Sequence, residues 1–327
     1  MNRRFTLAVH GGAGALKDLS EERRQRFLLG IHQALKAGYE ILYAGGSSID
    51  AVQAAVIVLE DDETFNAGKG AVCASDGRHY LDASIMAGSV PSSADEDKTL
   101  RSGAVAGVQY IKNPIALARL VKDLSLHTLL TGQHADNFGR EHQLEEVANS
   151  YFSTELRREQ LALAKDRGIV SQDHDIKENR SDSKKGTVGA VACDSKGGLA
   201  AATSTGGRTN KHPGRIGDSA IIGAGTYAED GVCAVSATGW GELFLEQSVA
   251  SQIACLIRDA GLSFQDAVKE VVLSRLPQNS GGVVAVNSNY EVLMPYNTGG
   301  MIRGSIDHTG TIQIGIHSEL SSSTVVL

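Results

Sequence analysis

The sequence predicts a mixed α/β protein built as a layered sandwich around antiparallel sheets. Both halves of the chain contain strand-like and helix-like segments, and hairpin-type connections outnumber the spacing of strand-helix-strand units. The 327 residues include 37 glycines but only 5 prolines, and this excess of glycine favours tight turns and close backbone contacts. A chain of this length can form one large core or two domains.

In the N-terminal half, the apolar run Phe5–Val9 predicts a strand that ends in glycine-rich sequence. Ser20 is the expected N-cap of a long helix reaching Ala44, and Ser47 or Ser48 that of a second helix packed beside the first. The second helix is expected to end at Glu60. The other elements expected in this half are a hairpin of 71–74 with 80–86 around Asp76-Gly77, a strand over 104–111, a helix opening at Asn113-Pro114, and helices over 132–142 and 153–167.

The segment 168–186 is crowded with charged side chains and poor in large aliphatic ones, which predicts an exposed, mobile linker. Ordered sequence returns at Thr187, where the runs 187–193 and 199–204 predict a hairpin. The elements expected after it are strands over 220–224, 232–238, 282–286, 292–295 and 311–314, and helices over 242–260 and 263–275.

Composition excludes several classes of protein. The formal net charge is −7 and the pI about 5.8, which argues against a broad basic surface for nucleic acid or anionic lipid and favours a small-molecule substrate. The four cysteines lack a Cys-x-x-Cys spacing, so free buried thiols are expected. No signal peptide and no apolar run long enough to span a membrane is recognisable, so the cytoplasm is the expected compartment.

The junction Gly186-Thr187 places a hydroxyl nucleophile at the first residue of a predicted strand. A threonine hydroxyl is a poor nucleophile unless a base lies beside it, and an N-terminal residue carries one in its own α-amine. That amine has a pKa of roughly 7.7–8.0, so it is partly neutral at physiological pH and can act as a general base. Cleavage before Thr187 would therefore create the catalyst, and Gly186 tolerates the strained backbone that cleavage needs.

Taken alone, Gly186-Thr187 is more simply a boundary between a loop and a strand. Three motifs downstream favour the catalytic interpretation, namely Thr203–Gly207, Arg215–Ser219 and Thr238–Glu242. The competing motifs fail. Lys17 stands where a dinucleotide-binding loop needs its third glycine, the ten histidines form no zinc-binding pattern, and no Gly-x-Ser-x-Gly elbow occurs. No cofactor is therefore expected for catalysis.

With these motifs in order, the sequence resembles the plant-type asparaginases, also called isoaspartyl peptidases, of the N-terminal nucleophile hydrolase superfamily. The resemblance runs nearly end to end. Before the junction it rests on His10–Gly14, Phe65–Gly68, Leu81–Ala83 and Gly103–Gly107. It implies a four-layer αββα sandwich of residues 1–327, self-cleaved into an α chain 1–186 and a β chain 187–327, and an (αβ)₂ dimer of heterodimers. The linker 168–186 would then be a processing segment within one domain.

The resemblance also implies catalytic roles. Cleavage falls between Gly186 and Thr187, and Thr187 is the nucleophile. Thr205 would hydrogen-bond beside it and tune it. The Thr238 hydroxyl and the Gly239 N–H match the oxyanion hole, which supplies donors where negative charge develops.

A second set of residues matches the substrate-binding site. Arg215 can hold an α-carboxylate with its guanidinium fork, while Asp218 takes the α-ammonium. The Gly241 carbonyl is a further partner for the ammonium, and Asn66 matches a residue near the active site. Without the resemblance, Arg215 and Asp218 could equally form a local surface ion pair of little energetic value.

The resemblance further implies a structural Na⁺ held by main-chain carbonyls, a type of ligand that suits a hard cation. Read alone, the acidic run 61–63 is equally a solvated turn. Lys69 in this loop and Trp240 between the two glycines depart from the family pattern, which puts substrate preference in question. The residues that match the ion loop are Leu59, Glu60, Asp62, Phe65, Ala67 and Lys69.

The leading hypothesis is an amidohydrolase that cleaves L-asparagine and isoaspartyl (β-aspartyl) dipeptides through Thr187. A glycosylasparagine hydrolase is the second hypothesis, disfavoured because that class is typically secreted and carries Asp before the nucleophile, where this chain has Gly186. A binding protein for aspartate-like ligands, retaining Arg215 and Asp218 without turnover, is the third.

Overall fold

The computed structural model describes residues 4–16, 19–89, 100–170 and 186–324. Within these ranges, no helix is both long and apolar enough to cross a bilayer. The strands are β1 Thr6–Gly14, β2 Leu81–Ala87, β3 Ser102–Val108, β4 Leu129–Thr131, β5 Val188–Cys193, β6 Leu199–Thr205, β7 Thr226–Glu229, β8 Cys233–Gly239, β9 Gly281–Val286, β10 Val292–Leu293, β11 Gly300–Asp307, β12 Thr311–Gly315 and β13 Ser321–Thr324. The α-helices are α1 Glu21–Tyr43, α2 Ser48–Asp61, α3 Pro114–Leu124, α4 Gly132–Glu141, α5 Glu155–Asp166, α6 Gly241–Glu246, α7 Val249–Arg258 and α8 Phe264–Lys269.

The strands form two sheets. The larger has the order β13-β12-β11-β1-β5-β6-β2-β3-β4, and the smaller has the order β10-β9-β8-β7. Every pairing is antiparallel except that of β3 with β4. The predicted mixed α/β architecture around antiparallel sheets is therefore confirmed.

The alternation of side chains along β1 shows how the larger sheet is covered on both faces. Leu7 and Val9 point into an apolar cluster shared with α1 and α2, which includes Phe27. Ala8 points the other way, into a cluster shared with the smaller sheet that includes Val284. Small side chains dominate this second cluster, so the two sheets can approach closely. A third cluster packs the smaller sheet against α6, α7 and α8.

Local sequence rules account for the two long helices. The Ser20 hydroxyl accepts the Arg23 N–H at the start of α1, and the Ser47 hydroxyl accepts the Asp50 N–H at the start of α2. The two helices pack against each other, as the sequence predicts. The structure also decides between the two candidate caps of the second helix in favour of Ser47.

Two predicted strands are wrong. Residues 71–74 form no ladder with β2; Ala74 instead makes one bridge to Lys211, while Gly77 completes a tight turn. Residues 220–224 continue from a 3₁₀ turn at Asp218–Ala220, and the strand comes later, as β7. In both places short runs of small residues imitate a strand, although their backbone groups are satisfied in turns.

Other boundaries shift for identifiable reasons. The first strand continues past Val9 through its glycines, with a register irregularity between His10 and Gly12. The helix predicted over 242–260 is two helices, α6 and α7, interrupted at Ser248, whose φ is 48°. The helix predicted over 263–275 continues from α8 as a π-helix. Strands β4, β11 and β13 were not expected. Most of the predicted linker, residues 171–185, lies outside the described residues.

Candidate active site

Thr187 lies immediately before β5, at the edge between the two sheets, with only 8% of its surface exposed. Because Val188 pairs with Ser204, the register places Thr187 opposite Thr205. The Thr187 hydroxyl donates a hydrogen bond to the Thr205 hydroxyl over 3.2 Å. Thr205 Oγ also accepts the Gly207 N–H at 3.0 Å, which fixes its orientation. The structure thus brings together the predicted nucleophile and the threonine predicted to tune it.

His10 in β1 contacts the same residue from the other side. Its Nδ1 lies 3.0 Å from the Thr187 carbonyl oxygen, which can only accept, so Nδ1 carries the proton. Burial lowers the pKa of His10 to about 3, so the ring is neutral and Nε2 accepts from the Ser236 hydroxyl at 2.9 Å. Sequence analysis used His10–Gly14 only as one of the motifs of the resemblance and gave His10 no role of its own. The one available signal was a polar residue inside an apolar strand.

A series of buried hydroxyls continues from His10 across the space between the sheets. Ser236 contacts Thr203 at 2.7 Å, and Thr226 donates to Thr203 at 2.6 Å. Ser84 lies 2.8 Å from Thr226 and also reaches the Ser219 carbonyl at 2.6 Å. These contacts connect the nucleophile to the turn that carries Asp218. Sequence reasoning did not identify them, because each pair joins distant strands.

Gly186 packs tightly against β1 and β8. A Cβ placed on Gly186 would lie 3.1 Å from the Gly12 Cα and 3.1 Å from the Thr238 Oγ. Gly12 itself has a φ of 114° and its backbone faces that of Gly186, so position 12 requires glycine and position 186 leaves little room for a side chain. The Thr238 hydroxyl is fully buried and has no hydrogen-bond partner among the described residues. Such a donor is costly unless a reacting oxygen uses it, as an oxyanion hole requires.

Close packing around the segment after Thr238 explains why positions 239 and 241 are both glycine. A Cβ on Gly239 would collide with the Ser280 carbonyl at 2.1 Å. A Cβ on Gly241 would lie 2.8 Å from Asp218 Oδ1 and 2.9 Å from Arg215 Nη2. The two predicted substrate-anchoring side chains therefore converge at Gly241, three residues after the hydroxyl that faces Gly186. Three peptide units span at most about 11 Å, so the anchoring pair converges within that distance of the Thr238 backbone.

Arg215 and Asp218 do not form the local surface ion pair that was the alternative. The Arg215 Nε and Nη2 atoms each lie 2.9 Å from Glu242 Oε1. Asp218 is buried, and this burial raises its pKa to about 7, with the nearby Arg215 opposing the shift. Its Oδ2 has no hydrogen-bond partner among the described residues. Glu242, to which the sequence assigned no role, is thus the counter-ion that holds Arg215 in place.

Asn66 contacts the turn that follows Thr205. Its side-chain Nδ2 donates to the Gly207 carbonyl at 2.9 Å, and its main-chain carbonyl accepts the Gly206 N–H at 3.0 Å. The same side chain accepts the Val72 N–H through Oδ1. Asn66 therefore holds the turn that follows Thr205, which agrees with the expected place near the site.

Two buried charged side chains lie behind Thr205. Asp82 stands opposite Thr205 in the β2–β6 register, and its Oδ1 accepts the Gly107 N–H at 2.9 Å. Lys211 is fully buried, and its Nζ donates to the Tyr80 carbonyl at 2.7 Å. Burial lowers the pKa of Lys211, whereas the negative charge of Asp82 acts to raise it. Sequence reasoning missed both, although Asp82 lies within the motif Leu81–Ala83.

The loop predicted to hold an ion folds back on itself. Cβ atoms placed on Gly68 and Gly70 would lie 2.4 Å from the carbonyls of Glu60 and Glu63 respectively, so these oxygens converge on the loop. The Glu60 carbonyl also accepts the Lys69 N–H at 2.7 Å. Among the described residues, no group of three or more His, Cys, Asp or Glu could hold a metal. The oxygen donors that the loop presents at these positions are main-chain carbonyls, the type of ligand that the resemblance implies for Na⁺.

Comparison with known proteins decides the family. A family model described as asparaginase matches residues 3–316. The chain belongs to the asparaginase family. It is 43% identical to the isoaspartyl peptidase of Salmonella typhimurium, over 96% of this chain and 98% of that protein. It is 43% identical to the isoaspartyl peptidase of Escherichia coli, over 96% of each chain.

A plant relative shows the same coverage. The chain is 37% identical to a probable isoaspartyl peptidase/L-asparaginase of Arabidopsis thaliana, over 95% of this chain and 98% of that protein. These asparaginase-family relatives extend over both sides of the Gly186-Thr187 junction. The resemblance inferred from the motifs is confirmed.

Proposed function

We propose that this asparaginase-family protein is a self-processing hydrolase of isoaspartyl peptides and of the side-chain amide of L-asparagine. The names of its relatives support the reaction. One observation supports the residue assignment: the Thr187 hydroxyl donates to the Thr205 hydroxyl, and the buried, unpartnered Thr238 hydroxyl lies against Gly186, on the other side of the bond to be cleaved.

In the first step, the Thr187 hydroxyl attacks the Gly186 carbonyl. The carbon–nitrogen bond breaks, the nitrogen gains the hydroxyl proton, and the acyl group moves to oxygen as an ester. Water then hydrolyses the ester, leaving a carboxylate on Gly186 and a free amine on Thr187. The Thr238 hydroxyl stabilises the negative oxygen that develops, and the glycine backbone at 186 accepts the distortion.

In turnover, the Thr187 α-amine takes the hydroxyl proton and the oxygen attacks the substrate's β-carbonyl. The Thr238 hydroxyl and Gly239 N–H hold the oxyanion. The leaving nitrogen receives the proton, and ammonia or an amino acid departs from a β-aspartyl ester on Thr187. Water completes the cycle and releases aspartate.

The substrate's zwitterion explains the anchoring groups. Arg215, held by Glu242, binds the α-carboxylate, while Asp218 and the Gly241 carbonyl bind the α-ammonium. An ammonium ion beside Asp218 favours the ionised carboxylate and offsets the burial that raises its pKa to about 7.

We propose an assembly, a structural ion and a compartment for the protein as well. The residues 1–186 and 187–327 form the α and β chains of one four-layer αββα sandwich, and two such heterodimers form an (αβ)₂ assembly. Carbonyls from the loop of residues 59–69 hold a structural Na⁺ that stabilises the loop and takes no part in chemistry. The cytoplasm is the proposed compartment, in keeping with four free cysteines.

Mass spectrometry combined with activity assays tests the proposal. The purified protein should separate under denaturing conditions into two fragments, the second beginning at Thr187, and should release aspartate from L-asparagine and β-aspartyl-leucine. Thr187→Ala should remain one inactive chain. A folded wild-type protein that stays intact, or that binds aspartate without hydrolysing either substrate, would contradict it.

A further inference from the structure

His10 is a buried histidine to which the proposed chemistry gives no role. It lies opposite Gly189 in the register of β1 with β5, and its side chain is fully buried. A Cβ placed on Gly189 would lie 2.6 Å from His10 Nε2 and would also collide with the Ser236 hydroxyl. The imidazole therefore occupies the space that a side chain at position 189 would fill. Glycine at this position of β5 is what lets His10 reach Thr187.

The two ring nitrogens of His10 have different partners. Nδ1 lies 3.0 Å from the Thr187 carbonyl oxygen, and Nε2 lies 2.9 Å from the Ser236 hydroxyl. A carbonyl can only accept a hydrogen bond, whereas a hydroxyl can donate one, so the neutral ring carries its proton on Nδ1. Ser236 is in turn held by the Thr203 hydroxyl at 2.7 Å. The surroundings thus select the tautomer that donates to Thr187.

Thr187 needs this contact most after its upstream bond has been cut. It lies outside the strand ladder, because the pairing of β5 with β6 begins at Val188. In the uncut chain it is also attached to Gly186, which packs against Gly12. Cleavage removes that attachment, and chain ends lose order unless contacts hold them. His10 is placed to supply such a contact.

The carbonyl contact also influences where the new amine lies. The peptide group that joins Thr187 to Val188 is planar, so a hydrogen bond to its oxygen orients the whole plane. Rotation about the Thr187 Cα–C bond then remains, and the contact of the Thr187 hydroxyl with the Thr205 hydroxyl at 3.2 Å restricts it. Together the two contacts hold the amine and the hydroxyl of Thr187. An error of about 1 Å in such a placement can cost about 10²-fold in rate.

We infer that His10 is a positioning residue for turnover: its Nδ1–H holds the Thr187 carbonyl, which keeps the freed amine beside its own hydroxyl once the bond to Gly186 is cut. His10 touches neither the substrate nor the reacting atoms. This inference rests on the proposed function, because only cleavage frees the amine. The uncut chain holds Thr187 from both sides, so self-cleavage depends on His10 less than turnover does.

Two amide substitutions separate the roles of the ring nitrogens. In His10→Asn the amide nitrogen is as many bonds from the backbone as Nδ1, so it can donate to the Thr187 carbonyl. In His10→Gln the amide lies one carbon further out, towards Ser236. His10→Gln should be cleaved at Thr187 to the wild-type extent, yet its kcat for L-asparagine should fall by about tenfold to a hundredfold. KM should stay near the wild-type value, because Arg215 and Asp218 are unchanged. His10→Asn should recover most of kcat.

Two further variants complete the comparison. Ser236→Ala keeps the ring and removes the hydroxyl that selects its tautomer, so kcat should fall less than in His10→Gln, again with KM near the wild-type value. His79→Gln is the matched control, since His79 is also buried and its Nδ1 lies 3.2 Å from the Val72 carbonyl. It should lower Tm, as His10→Gln does, but keep the wild-type kcat.

Mass spectrometry of each variant measures cleavage, initial rates on the cleaved protein measure turnover, and calorimetry measures Tm. The positioning role is overturned if His10→Gln keeps the wild-type kcat or loses cleavage and turnover together. It is equally overturned if His10→Asn is no more active than His10→Gln, or if His79→Gln loses as much kcat. Should His10→Gln not fold, an unchanged kcat in Ser236→Ala would overturn it. All these results leave the proposed function intact, whereas a wild type that neither cleaves itself nor releases aspartate would overturn both.

Discussion

At the scale of single residues, removal of the Thr238 hydroxyl should have the most specific effect on self-cleavage and turnover. It is buried, lies near Gly186 and lacks a partner among the described residues. Thr238→Val keeps the shape but removes the donor, so self-cleavage and kcat should both fall by about 10²-fold or more. Time courses of cleavage and aspartate release measure this. Thr324→Val, an exposed threonine in β13, is the control. Normal rates in Thr238→Val would exclude the hydroxyl from the oxyanion hole.

The buried Asp218 carboxyl should make substrate binding depend on pH. Burial raises its pKa to about 7, so the carboxylate that binds the substrate ammonium forms only as the pH rises through that value. KM for L-asparagine should therefore fall between pH 6 and 8. Asp218→Asn cannot bind the ammonium as an anion, so its KM should be high and nearly independent of pH. Initial rates across this range measure the difference, and a wild-type KM that does not change with pH would contradict it.

The same shift has the opposite effect on stability. Because the folded pKa lies above the ordinary value of 3.8, the unfolded chain releases its proton first. Folding is then favoured by this group below about pH 4, and the contribution is lost as the pH rises from there through 7. Asp218→Asn should therefore have a higher Tm than the wild type at pH 8, by about 2–4 °C, and a smaller gain at pH 5, where only part of the contribution has been lost. Differential scanning calorimetry on unliganded protein measures both values.

Residue chemistry also explains which parts of the site a sequence can predict. Thr187 was identifiable from its place at the junction and Thr205 from the family resemblance, and the hairpin register of β5 and β6 explains why the two side chains meet. His10 and Glu242 were not assigned their contacts, because Ser236 and Arg215 reach them only after distant segments pack together. A burial-shifted pKa, such as that of His10, has no counterpart in the sequence.

At the scale of elements, the buried hydroxyls between β6 and β7 should contribute to stability. Thr203 contacts Ser236 at 2.7 Å, accepts from Thr226 at 2.6 Å and donates to the Gly225 carbonyl. Thr203→Val leaves those groups without their partner, so unfolding should become easier by about 1–3 kcal/mol. Urea denaturation of the uncleavable Thr187→Ala background measures this cost, with Thr324→Val as the exposed control. An unchanged midpoint would show that the hydroxyls are dispensable.

Element prediction succeeded where local signals were strong and failed where pairing decided the outcome. Ser20 and Ser47 cap their helices as the sequence predicts. Residues 71–74 have strand-like composition, yet they lie in the turns that carry the 205–211 segment, a constraint that only the tertiary structure supplies. β11 and β13 were overlooked because glycine and serine weaken the apolar alternation that marks a strand.

At the scale of the whole molecule, cleavage at Thr187 should leave the two fragments firmly associated. In the larger sheet β1 lies between β11 and β5, and β2 pairs with β6, so strands from before and after the cut alternate. Separating the fragments would break three antiparallel pairings, β1 with β11, β1 with β5 and β2 with β6. The matured protein should therefore elute as one species in native size-exclusion chromatography and separate only in denaturant. Fragments that separate without denaturant would contradict this interleaving.

Under the proposed cleavage, that interleaving makes refolding a different process from the first folding of each molecule. Before the cut, neighbouring strands find one another as parts of a single tethered polymer. Afterwards, recovery from heat or urea requires two separate polypeptides to meet again and thread their strands between each other, at a rate that depends on their concentration. The thermal history of a preparation should therefore matter: an uncut Thr187→Ala chain has a unimolecular route back from unfolding, which the two fragments of the proposed cleavage lack.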